Sequence, residues 1–277
     1  MIYIFTALYA EAQPLIQRFQ LKKEKTRSPF DTFYNEDKKL RLILTGVGSI
    51  ASASAVSYIC SCYPLREEDF LINFGSCAGN ALEEVFLCHK LTERATGKTF
   101  YPDILYKHPF QEAELITESK VLEQGLDSSK LLHDMEAAAI YQAGNYFIAP
   151  HQMFFLKVVS DAGQGNQVEK QQLQQLIDKH MDAIEGFIKE LQEISIIENE
   201  KRQIFSQEEE KKIKQFCEDL HCTQTMEASV VQCARYGKLS GIPYEDIIEK
   251  MYREEELPCK DKREGKYYFE EFRKQIL

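Results

Sequence analysis

Three carboxylates and one glycine-flanked serine stand where this chain could do chemistry: Glu11 in TALYAEAQPL, Ser76 after Gly75 in INFGSCAGN, Glu136 in LLHDMEAAAIYQAG and Asp161 in KVVSDAG. Carboxylates serve as proton donors, as bases, or as acceptors of strong hydrogen bonds. Glu136 poses the sharpest question. Met135, Ala137, Ala138, Ala139 and Ile140 around it read as the first turns of a tightly packed helix, where an unpartnered carboxylate is costly. Each residue alone also has a structural reading: Glu11 as a first-turn helix acid, Asp161 as an N-cap or turn acid, GVGS and GSCAG as tight turns. Those readings do not require all four to fall at one edge of a sheet.

The elements around them predict that edge. MIYIFTAL is a short apolar run rich in β-formers, followed by YAEAQPLIQRF at helical spacing. KLRLILTGVGS repeats the pattern before IASASAVSYICSCY, a helix whose Ala and Ser residues allow close approach to a sheet. DFLINFGSCAGN is a third strand ending in a glycine-flanked turn, and HQMFFLKVVSDAGQG a late strand ending in a carboxylate and a glycine-rich loop. VEKQQLQQLIDKHMDAIEGFIKELQEI reads as one long amphipathic helix. Strands alternating with helices predict a three-layer αβα domain with a mostly parallel central sheet, and ligands of such sheets bind beyond the carboxyl ends of the strands.

Composition shifts near residue 196. The chain therefore divides into 1–196, the α/β domain, and 197–277, a charged C-terminal all-helical appendage with helical periodicity in QEEEKKIKQFCEDL, MEASVVQCARYGKL and YEDIIEKMYREEEL. At about 80 residues the appendage is of marginal size for independent stability, and it is expected to pack on the first domain or on a protein partner.

The whole chain of 277 residues carries a formal charge of -10, which argues against nucleic acid as a partner. No apolar run is long enough for a bilayer, and the N-terminus lacks a basic leader, so a cytoplasmic protein without membrane contact is expected. The eight cysteines then read as reduced thiols. Cys60, Cys62, Cys77 and Cys88 are assigned to the core. Cys217, Cys222, Cys233 and Cys259, with His221, are the one candidate metal set, but no CxxC spacing supports it, and plain helix packing with no metal is the reading adopted.

The order TALYAEAQPL, TGVGSIASA, INFGSCAGN, HDMEAAAI and VVSDAG resembles the nucleoside phosphorylase and nucleosidase superfamily, and within it the 5'-methylthioadenosine/S-adenosylhomocysteine nucleosidases, over roughly residues 1–196. The resemblance implies cofactor-free cleavage of an N-ribosidic bond in a small nucleoside, and a homodimer. It makes Asp161 the acid that serves the purine N7, and Glu11 the base that orients and activates water. Glu136 becomes the acceptor for the ribose 2'- and 3'-hydroxyls, with Met135 against the sugar face. Ser76 borders the base and keeps its loop near Asp161, and Gly75 and Ser160 complete the substrate-binding set. Lys157 stands where a nucleosidase has an arginine near the water; its structural alternative is a strand-end lysine facing solvent.

Superfamily phosphorylases hold phosphate with arginines, one of them in the strand before the GS turn, where this chain has Asn73. Hydrolysis is therefore favoured. The rival readings are a phosphorylase whose clamp comes from Arg94, Lys98 or Lys107, and an inactive nucleoside-binding or scaffold protein. Between Gly79 and Glu136 the chain is shorter than its likenesses, and Lys120 or Val121 falls where a base-stacking aromatic is expected. Phe100, Tyr101 or Tyr106 could substitute, or could instead line a dimer interface.

Overall fold

In a computed structural model the chain divides into two units, Met1–Glu198 and Asn199–Leu277. The structure describes all residues except 26, 124, 127–129, 165–167, 203 and 277, and the side chains of 200–202 are likewise not described.

The first unit begins as the sequence predicts. Strand β1 (Ile2–Thr6) is buried along its whole length and feeds helix α1 (Tyr9–Phe19). After the edge strands β2 (Lys22–Lys23) and β3 (Thr32–Asn35), β4 (Leu40–Leu44) leads into α2 (Ser49–Cys62). Helix α2 buries Ser52, Ala55, Val56, Ile59 and Cys60, a stripe at helical spacing. Then follow β5 (Phe70–Ala78), β6 (Val85–Glu93), β7 (Thr99–Phe100), β8 (Gln111–Thr117), β9 (Leu132–Asp134), α3 (Ala137–Gly144) and β10 (Met153–Asp161). Helices lie on both faces of the sheet. One core packs α1 and the last helices of the unit against Ile2, Ile4, Ile72 and Phe154, and the other packs α2 and α3 against Tyr3, Phe5, Leu71 and Phe155. This alternation of inward side chains is the period of 2 of a strand buried on both sides.

The sheet is mixed, with antiparallel pairings beside the parallel ones that the alternation of strands and helices predicts. Strand β1 pairs in parallel with β4 and β5, β5 with β10, β6 with β8, and β8 with β9. Antiparallel pairs join β10 to β6, β2 to β3, β3 to β4, β5 to β9 and β6 to β7. The antiparallel links from β10 to β6 and from β9 to β5 return the sheet upon itself, so that β5, β10, β6, β8 and β9 form a ring of pairings. Closure of this kind lets short strands such as β9, which meets β5 only at Ala78↔His133, satisfy their backbone groups.

The long amphipathic stretch is two helices, α4 (Lys170–Lys179) and α5 (Met181–Arg202). His180 ends the first, its ring Nε2 2.6 Å from the Glu83 carbonyl. Leu173, Leu176, Ile177, Met181, Ile184, Phe187 and Ile188 are buried on both sides of the break, so the apolar stripe runs through it and conceals it. The glycine-rich loop expected after Asp161 includes Gly165, which lies outside the described residues.

The second unit has α6 (Gln207–Asp219), α7 (Gln224–Ser240), α8 (Tyr244–Arg253) and α9 (Lys262–Ile276), the last without a forerunner in the periodicity analysis. Phe216, Leu220, Val230, Met251, Phe269 and Phe272 form its own core. Cys217, Cys233 and Cys259 are buried and Cys222 half-buried, and no metal-holding group of His, Cys, Asp and Glu occurs among the described residues. In the first unit Cys62 is exposed at the end of α2, against its assignment to the core; Cys60, Cys77 and Cys88 are buried. None of the described helices is long and apolar enough to cross a membrane.

Candidate active site

The site builds up at the carboxyl ends of β1, β4, β5, β9 and β10. Glu11 sits in the first turn of α1, 2 % exposed. Its Oε2 accepts the Ala7 and Leu8 N–H groups at 3.1 and 3.0 Å, and its Oε1 accepts Ser76 N–H at 2.8 Å and Ser76 Oγ–H at 2.7 Å. The helix-capping reading is thus realised, and the same carboxylate bridges the end of β1 to β5. Gly75 lies directly beneath it: a Cβ there would come 3.1 Å from Glu11 Oε1, so a side chain would crowd the carboxylate. The Ser76 side chain is therefore engaged by Glu11, while the segment after it meets Asp161 through the backbone, Gly79 N–H donating to the Asp161 carbonyl at 2.9 Å.

Asp161 ends β10, where Val158 pairs with Ser76 and Asp161 with Ala78. Gly163 N–H donates to Oδ1 at 2.8 Å, a turn-type bond, and Ser160 Oγ–H to Oδ2 at 2.9 Å. Ser160 Oγ also lies 3.3 Å from the Cys77 carbonyl and so fastens the acid to β5.

Glu136 is the N-cap of α3 and precedes its first turn, a correction to placing it among the helical residues. It is buried, and its Oε1 accepts Gly48 N–H at 2.7 Å while Oε2 lies 3.3 Å from Met135 N. Gly48 has φ +98°, a conformation that favours glycine, which explains the second glycine of GVGS. Ser49 Oγ–H donates to the Met135 carbonyl at 3.2 Å, and the Met135 side chain is half-buried. Burial first, then the charge of Asp134, pushes the Glu136 carboxyl up to about 7; Lys157 and the Gly48 N–H oppose them.

Lys157 faces inward, 1 % exposed, so the solvent-facing alternative does not hold. Its Nζ makes an ion pair with Asp134 at 2.9 Å. Burial works against its charge, but Asp134, Glu136 and Glu11 outweigh it and hold the ammonium above its usual range. Sequence reasoning missed Asp134 altogether. Its only signal is a second acid two residues before Glu136.

Asn73, buried, donates Nδ2–H to the Phe5 carbonyl at 3.3 Å. Arg94 is bound to Glu118 at 3.0 Å, whose carboxylate also meets His133 Nδ1 at 2.9 Å; Lys98 and Lys107 are exposed. The aromatic substitutes separate as well. Phe100 packs on Tyr141 at 5.2 Å between ring centres, and Tyr106 packs on Phe70 and Phe154 at 5.7 and 6.2 Å, so both serve the unit's own packing. Tyr101 is 59 % exposed, as Lys120 and Val121 are also exposed.

No family model matches the sequence, and no curated protein does. Solved structures do. The apo form of the Arabidopsis thaliana 5'-methylthioadenosine nucleosidase superposes with a TM-score of 0.54 at 18% identity, covering 70% of this chain and 95% of that one. A putative 5'-methylthioadenosine/S-adenosylhomocysteine nucleosidase from Borrelia burgdorferi, bound to adenine, gives 0.53 at 16% identity over 70% of this chain and 100% of that one. The corresponding nucleosidase of Colwellia psychrerythraea, also in complex with adenine, gives 0.54 at 14% identity over 70% and 95%. Over 70% of its length, this chain has the fold of the 5'-methylthioadenosine/S-adenosylhomocysteine nucleosidases.

Proposed function

We propose that the chain is an N-ribosyl hydrolase that cleaves the glycosidic bond of a purine nucleoside or a 5'-substituted adenosine. The observation that carries this reading is the gathering of Glu11, Glu136 and Asp161, remote in sequence, at one end of one sheet in a nucleosidase fold. Asp161 passes a proton to the departing purine as the bond from the anomeric carbon to the base nitrogen breaks. A water attacks that carbon, forming the new C–O bond and giving its proton to Glu11. Four donors already occupy Glu11, so the water enters by taking over the bond from the Ser76 hydroxyl, which is free to rotate. Glu136 accepts the ribose hydroxyls, Met135 lies against the sugar, and Gly75 and Ser160 keep Glu11 and Asp161 in place. Val47 and Ile50, exposed apolar side chains on either side of Gly48, suit an apolar 5' substituent. Of Phe100, Tyr101 and Tyr106, Tyr101 is the one left exposed to meet a base or a second copy of the chain in a homodimer.

Hydrolysis is favoured over phosphorolysis because Lys157 is engaged by Asp134 and Arg94 by Glu118, while the Glu11 carboxylate would repel a phosphate. The test is a panel of purine nucleosides incubated with the full-length protein, with and without phosphate, following freed base by chromatography. Release without phosphate is expected. Release that requires phosphate would make the protein a phosphorylase, and binding without release from any nucleoside would make it a binding or scaffold protein.

A further inference from the structure

Asp134 ends β9 two residues before Glu136, and three donors converge on its buried carboxylate. Thr117 Oγ1–H reaches Oδ1 at 2.7 Å, while Ala137 N–H and Lys157 Nζ reach Oδ2 at 2.8 and 2.9 Å. Thr117 Oγ1 in turn accepts Ala138 N–H at 2.9 Å. The chain on both sides of Glu136 is thereby clamped, whereas among the described residues the Glu136 side chain itself is held by Gly48 N–H at 2.7 Å and more loosely by Met135 N–H at 3.3 Å. A lysine buried as completely as Lys157 needs such a partner to keep its charge. The geometry points to Asp134 as a positioning residue: paired with Lys157, it aims Glu136 and sets the charge around it, and so governs the grip on a vicinal diol. This deepens the hydrolase reading above and rests on the ribose role given there to Glu136.

The groups that act on Glu136 come from several elements. Asp134 lies on β9, Lys157 on β10 and Glu11 on α1, and Gly48 offers its N–H from the loop after β4. Cys77 of β5 and Cys88 of β6 adjoin Lys157 and Asp134, and burial pushes both thiols up, so they stay neutral. Within this set Asp134 favours the protonated form of Glu136 and Lys157 the ionised form, with Asp134 the stronger.

The experiment is a carbon-13 NMR titration of the Glu136 side-chain carboxyl in the unliganded full-length protein, with binding of adenosine and adenine measured beside it. Asp134→Asn is expected to lower the midpoint from about 7 by about one pH unit, and Lys157→Met to raise it by less. The double variant leaves no unpaired charge and serves if either single variant fails to fold. It should show a lowered midpoint and, at a pH where Glu136 is ionised in both proteins, about tenfold weaker adenosine binding, with adenine unchanged. A folded double variant with the wild-type midpoint and wild-type adenosine affinity would overturn the assignment. If the midpoints move as stated but wild type binds adenine and no adenosine, the ribose role of Glu136 falls while the electrostatic control by Asp134 stands.

Discussion

The two units of this chain are built on opposite principles. Among the described residues, every buried polar or charged side chain lies in Met1–Glu198, including Glu11, Arg41, Asp69, Asp134, Glu136 and Lys157. The core of Asn199–Leu277 is made of Phe216, Phe272, Leu220, Val230, Ile248 and cysteines, and its charges sit outside in pairs such as Lys212–Glu245. Exposed pairs of that kind add at most about 1 kcal/mol, whereas burying an ionised group is costly unless it is fully partnered. Apolar packing alone therefore suffices for the helical unit. In the first unit Glu11, Asp134, Glu136 and Lys157 each carry a specific set of donors or acceptors, concentrated at one end of one sheet. Such a concentration is what a site that handles protons and hydroxyls would use.

The contrast can be broken most decisively at Asp161. Asp161→Asn keeps the shape of the side chain and an acceptor for Gly163 N–H but removes the carboxyl proton donor, so base release should fall about 10²–10⁴-fold while nucleoside still binds. An unchanged rate in a folded variant would remove the acid assignment.

Next in size is the response of Glu136 to pH. Its carboxyl is raised from 4.5 to about 7, so the folded protein binds this proton more tightly than the unfolded chain does. The stabilisation that follows is complete below pH 4.5 and is lost as pH rises through 7. Diol binding runs the other way, because the carboxylate is the better acceptor. Nucleoside affinity should rise about tenfold from pH 6 to pH 8, measured by calorimetry, and Glu136→Gln should flatten the profile and weaken nucleoside without affecting free adenine. A flat wild-type profile would show that the proton on Glu136 has no bearing on binding.

In the helical unit the vulnerable point is packing. A Cβ on Gly265 in α9 would clash with the Leu220 carbonyl oxygen at the end of α6. Gly265→Ala should destabilise that unit by about 1–3 kcal/mol, whereas Gly186→Ala, in α5 with open space at its Cβ position, should be neutral or add up to about 1 kcal/mol. Thermal unfolding of the two variants checks this, and equal effects would show that the close approach of α9 to α6 is not maintained. The smallest expected effect is that of truncation. A chain ending at Arg202, where α5 ends, should release base at the full-length rate, and a folded truncation without activity would place part of the chemistry in the helical unit.

Much of the first unit was legible because its determinants are local. The buried runs of β1, β4, β5 and β10 and the stripes of α1 and α2 follow from periodicity within a few residues, and the acids Glu11 and Asp161 stand beside strand ends that such patterns mark. The same locality explains the misses. The apolar stripe from Leu173 to Leu191 continues across His180, so period alone could not show the break, and Cys62 sits at a helix end whose exposure depends on what does or does not pack there. Strand β9 is three residues long and pairs with partners far along the chain, which leaves no local pattern to read.

By itself, the sequence determined where strands hand over to helices, which acids and glycines stand at those junctions, and that the charged tail would be helical, because side-chain periodicity and backbone preference act between near neighbours. Only the tertiary structure decided that the sheet closes through antiparallel links, that Ser76 binds Glu11, that Gly48 holds Glu136, and that Lys157 turns inward to Asp134. Each of these joins residues tens of positions apart, and the low dielectric that makes such a pairing necessary exists only once the chain has folded around it.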